Sequence, residues 1–132
     1  MALVVTGCAL GDDQEAIAAC ETFQDHLDQM RGGAEQRDGA IALAEQATAE
    51  VEAADDEDLA MAIADYERVI VRFALAADDV REAEQQRAVE GSPEVQERLA
   101  DAERWLTEAI QAGDLVLHRV SALCLDHDVE LG

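Results

Sequence analysis

Three features of the sequence predict an all-α chain. Ala, Leu, Glu, Gln and Arg, all strong helix formers, dominate its 132 residues, and Gly and Pro are confined to a few sites. Leu59, Ile63, Tyr66, Ile70, Phe73, Ala77 and Val80 step by 4, 3, 4, 3, 4, 3, the apolar seam of an amphipathic helix turned to a partner helix. No Gly or Pro falls between Gly39 and Gly91, so that helix can be long. The length suits one domain with a core of its own. An apolar fraction of 49% with only 3% aromatics predicts a thin, Ala-rich core between closely spaced helices.

In chain order, the first helix is expected to start after Asp12 or Asp13, with Glu15 a favourable acid in its first turn. Its seam is Ala16, Cys20, Phe23, Leu27 and Met30, and Gly32–Gly33 ends it. The second runs from about Arg37 to Ala54 with Ile41, Ala44, Thr48 and Val51 inward. Asp55-Asp56-Glu57-Asp58 then reads as the cap of the third helix; it lacks the Gly and the spaced ligands of a calcium loop. One continuous helix over 37–90 is the alternative. Gly91-Ser92-Pro93-Glu94 supplies a C′ glycine, an N-cap, an N1 proline and a first-turn acid in succession. The fourth helix carries Val95, Leu99, Ala102, Leu106, Ile110, Gly113, Leu117, Val120 and Cys124, bent at Gly113. Glu94 with Arg98, Asp65 with Arg68 and Asp101 with Arg104 are favourably spaced surface pairs.

Short connections make successive helices alternate, so the expected fold is an antiparallel up-down-up-down four-helix bundle. Two helices of about 18 residues (roughly 27 Å) meet two of about 32 (roughly 48 Å). The long pair is then expected to project as a hairpin with a lean inner face, inviting a partner or a second copy. Val80, Leu99 and Trp105 are the partner-binding candidates. Residues 1–12 form a tether, 13–128 the bundle and 129–132 a frayed tail.

The same register sets Cys20 level with Cys124, either as a disulfide closing a long loop or as two buried thiols. It also sets His26 level with His118, with Asp114 one turn away. A zinc site could be built there, but a partly exposed His26 and no metal are the expectation. Asp126-His127-Asp128 reads as solvated charge in the tail. No Ser, Cys or His has a visible activating partner, no Gly-rich loop follows a strand, and no Glu-x-x-His pair occurs. Neither an enzyme nor a cofactor is expected.

Thirty-one acids stand against nine bases, all Arg, for a net charge of -22. That field repels phosphates and anionic lipid head groups, which excludes direct nucleic-acid binding. A solvated surface, a basic partner or diffusely held divalent cations remain.

The first eleven residues differ from the rest: apolar Ala2–Val5, then Thr6-Gly7-Cys8, then Asp12-Asp13. Val5-Thr6-Gly7-Cys8 resembles the lipobox of bacterial lipoproteins, where an aliphatic residue and two small ones precede the lipidated Cys. The resemblance implies a lipid on Cys8, a membrane-anchored extracytoplasmic module and an oxidising compartment in which Cys20 and Cys124 pair. A signal peptide needs a basic start and an apolar stretch of roughly 7–15 residues, whereas only Met1–Val4 precede the motif. Either further residues lie upstream, or the segment is a frayed arm of a cytoplasmic protein.

Three functions follow as expectations. The first is a non-catalytic anchored module binding an envelope protein, similar in kind to phage-encoded superinfection-exclusion lipoproteins, which block. The second is a cytoplasmic nucleic-acid mimic occupying a basic DNA-binding partner. The third is an assembly component that forms homo-oligomers through the hairpin.

Overall fold

A computed structural model describes the backbone of residues 2–132 and the side chains of residues 14–33 and 35–132. Among these there are four α-helices and no strand: α1 (Ala2–Met30), α2 (Arg37–Glu52), α3 (Glu57–Val89) and α4 (Pro93–Leu125), with a short 3-10 turn at Ala34–Gln36. The protein is all-α, and its helix packing fits a bundle.

The ends of the helices follow from local chemistry. Gly33 closes α1 at φ 90°, a left-handed conformation that costs an L side chain about 1–2 kcal/mol. A break of four residues separates α2 from α3, so the continuous helix over 37–90 does not form. Asp56 is the cap: its Oδ1 accepts the Leu59 N–H at 3.1 Å. Ser92 caps α4 in the same way, its Oγ accepting the Val95 N–H at 3.4 Å, with Pro93 as first helical residue. Gly113 lies inside α4, which runs on as a single helix. Of the expected surface pairs, Arg104 meets Asp101, whereas Arg98 turns to Glu82 rather than Glu94.

α1 starts some ten residues earlier than expected and is 29 residues long rather than about 18. Asp12 and Asp13 therefore lie within a helix and do not cap one. The scheme of two short and two long helices gives way to lengths of 29, 16, 33 and 33 residues.

The chain forms two compact units, residues 1–67 with 116–132 and residues 68–115. Both α3 and α4 contribute residues to each unit. In the first unit the core gathers Ala16, Cys20, Phe23, Val51, Leu59, Ile63, Val120 and Cys124, each no more than 1% exposed. In the second, Ala76, Ala83, Val95, Leu99 and Ala102 are buried between the two helical segments. Nine of the twenty buried apolar residues described are Ala, which lets backbones approach closely. The larger residues Phe73 and Val80 are consequently only half-buried. Ile110, placed inward by its spacing, is 46% exposed.

Candidate functional site

The first unit is organised around a buried polar contact. Phe23 and Tyr66 occupy facing seams, and their rings meet edge to face with centroids 4.7 Å apart. A Tyr at a buried position needs a partner for its hydroxyl. His26 provides it, with Nε2 3.0 Å from the Tyr66 hydroxyl and Nδ1 2.6 Å from the Ala40 carbonyl. Because a carbonyl can only accept, Nδ1 carries the proton, and neutral Nε2 accepts from Tyr66. Loss of hydration lowers the His26 pKa below its ordinary 6.5, outweighing the Ala40 bond that raises it.

His26 is fully buried, which corrects the partly exposed side chain expected. The inward stripe of α1 passes through 16, 19, 20, 23 and 26, leaving Leu27 and Met30 half-buried. Spacings of 3 and 4 are equally helical, so apolarity alone favoured Leu27; the hydroxyl of Tyr66 was the signal for His26. Both ring nitrogens are occupied by protein atoms, and His118 is exposed. Among the described residues no group of three or more His, Cys, Asp or Glu is placed to hold a metal ion.

A second polar contact joins helix ends within that unit. His127 Nε2–H donates to Asp56 Oδ2 at 2.8 Å, while Oδ1 of the same carboxylate caps α3. Burial acts to raise the Asp56 carboxyl. The bonds from His127 and from the Leu59 and Asp58 N–H groups, with the charge on His127, outweigh it and hold the group below 3.8. His127 is positioned by a Schellman turn at the end of α4. Asp128 has φ 62°, its N–H bonds the Leu125 carbonyl at 2.9 Å, and the Val129 N–H bonds that of Cys124 at 3.0 Å. The tail expected to fray is tied down as well: the Gly132 N–H donates to Gln24 Oε1 at 2.8 Å, and Arg31 donates to the Gly132 carbonyl.

Cys20 on α1 and Cys124 on α4 are fully buried at disulfide distance, with sulfurs 2.18 Å and Cα atoms 5.8 Å apart. Cys8 lies outside the described side chains, so its expected lipidation meets no structural observation.

The second unit carries the open surface. A groove of about 610 Å³ runs between Val69–Asp79 of α3 and Trp105–Ala112 of α4. Its apolar lining is Val69, Leu75, Ala76, Trp105, Ala109 and Ala112, with Leu75 65% and Trp105 66% exposed. Of the three partner-binding candidates, Trp105 lines this groove, Val80 is half-buried, and Leu99 is 5% exposed within the seam. Burial thus removes Leu99 from any docking face, and Leu75 is a surface residue that the seam pattern missed.

No family model, curated protein or solved structure matches the chain. Among the described residues no helix is long and apolar enough to cross a membrane.

Proposed function

We propose that this protein is a non-catalytic binding module of the cell envelope, anchored by lipid on Cys8 and acting by engaging a protein partner. The observation that carries this reading is the pairing of Cys20 with Cys124. Disulfides persist in oxidising compartments and are rare in reducing ones. One thiol near the start of the chain is then left for lipid while two deep in the core are joined. Three short connections support reading the helices as an up-down-up-down bundle. The net charge of -22 suits a module that stays clear of anionic head groups while tethered beside them. Blocking of another envelope component by occupancy is the mode of action that needs no catalysis.

The test is mass spectrometry of the protein made from its full native reading frame, with and without inhibition of lipoprotein signal processing. A diacylglyceryl adduct on Cys8, with Cys20 and Cys124 resistant to alkylation until reduced, is expected. Unmodified Cys8 together with free thiols at 20 and 124 overturns the reading and favours the cytoplasmic mimic.

A further inference from the structure

We propose that the groove between Val69–Asp79 of α3 and Trp105–Ala112 of α4 is the docking site for one basic amphipathic helix of a partner protein. This inference rests on the reading of the protein as a binding module and names the site and the chemistry of what it binds. The groove is lined on both sides by helices, with Ala76, Ala109 and Ala112 keeping it shallow and Leu75 and Trp105 standing at its edges. Its α3 wall spans about ten residues, or roughly 15 Å, the length of three helical turns. Small residues flanked by large apolar anchors are what a helix laid in a groove requires, with side chains at i, i+3, i+4 and i+7 pressed inward. A solvent-exposed Trp at such a place is the residue type on which binding energy concentrates.

Charge selects the occupant. Asp79 and Glu108 line the groove on opposite walls, and neither forms an ion pair among the described residues. Elsewhere in this unit Asp78, Glu82 and Asp101 are each matched by an arginine. Arg72 is the one base in the lining. Unit 68–115 holds eleven acids and six arginines, and the whole chain stands at -22. A second copy is a poorer complement than a basic partner. Arg31, Arg81, Arg98, Arg104 and Arg119 already serve this chain's own carboxylates, and a copy would bring another -22. Lys and Arg flanking the apolar stripe of an incoming helix would meet Asp79 and Glu108, while the stripe covers Trp105 and Leu75.

Trp105 is the sole Trp in the chain, so its emission reports the groove directly. The experiment titrates the full-length oxidised protein with two synthetic helical peptides of about 18 residues, sharing one Leu/Phe stripe and bearing either Lys or Glu at the positions that flank it. The Lys peptide is expected to shift Trp105 emission to the blue and to bind at least tenfold more tightly than the Glu peptide. Raising salt from about 50 mM to about 0.5 M is expected to weaken it severalfold. With a labelled Lys peptide read by anisotropy, Trp105→Ala and Leu75→Ser are each expected to weaken binding about tenfold. Asp79→Asn with Glu108→Gln, which keeps the shape, is expected to weaken it severalfold. Circular dichroism checks that each variant retains its helices.

An unmoved Trp105 signal, equal binding of both peptides, or Lys-peptide binding that ignores all of these substitutions overturns the proposal. So does a dimer in light scattering that Trp105→Ala dissolves, because a second copy would then be the occupant. None of these outcomes touches the state of Cys8, so failure here is separable from failure of the anchored-module reading.

Discussion

His26 shows how a residue can be indispensable to a fold without advertising itself. Its neutral ring satisfies two buried polar groups, one on each side. Because the folded pKa is depressed, the unfolded chain takes up the proton first as pH falls through about 6.5, and stability declines from there down to the folded value. A fall in melting temperature is therefore expected between about pH 7 and pH 5. His26→Gln, whose amide can still donate to the Ala40 carbonyl, should flatten that fall. His26→Leu should cost about 1–3 kcal/mol at neutral pH in chemical denaturation, by removing two buried hydrogen bonds, to the Ala40 carbonyl and from the Tyr66 hydroxyl. Asp56 works in the opposite range. Its depressed pKa contributes stability above the ordinary carboxylate value, and that contribution is lost as pH drops through the folded one. Replacing His127 by Ala should remove about 1 kcal/mol, measurable as a lower denaturant midpoint at pH 6 to 7. The cap role of Asp56 could be read from its place before an apolar stripe. Its bond to His127 could not, because nothing local in a sequence reports which residues a chain end meets 71 positions away.

At the scale of the helix, the starts were more legible than the seams. Ser92-Pro93 and Asp56 work through backbone geometry of the adjacent turn, so their effect is written in a few neighbouring residues. The seam is decided by which side chain fits between two backbones. Where helices approach closely, Ala83 goes deepest although Val80 is more apolar. The early start of α1 is a different case: an acid pair can cap a helix, but nothing in its chemistry prevents a helix from running through it. Gly113 offers a direct check on the continuity of α4. A Cβ built there meets only Val69 Cγ1 at 3.5 Å, an ordinary contact. Gly113→Ala should therefore raise stability by about 0.5–1 kcal/mol through helix propensity, seen as a higher melting temperature.

For the molecule as a whole, charge and covalent closure outweigh any single contact. Carboxylates outnumber arginines by more than three to one, so added salt should raise the melting temperature by screening their repulsion. The Cys20–Cys124 pair encloses 104 residues of sequence separation. Reducing it, or replacing both residues by Ser, should lower stability by about 4–5 kcal/mol on the chain-entropy view, measured by denaturation with and without reductant. Composition and periodicity made the helical class readable, and the expected register set Cys20 level with Cys124 while leaving a disulfide and two buried thiols both open. The groove was not readable, since it depends on where a seam stops being covered rather than on where it lies.

The sulfur pair also decides how the chain would respond to being pulled. Under tension applied at residues 1 and 132, load would travel along residues 1–20, cross between the sulfurs and leave along 124–132, bypassing everything between. Full extension would then stop near 100 Å, against roughly 450 Å for the reduced polymer. A chain wired in this way can be dragged by its ends while residues 21–123 carry no load.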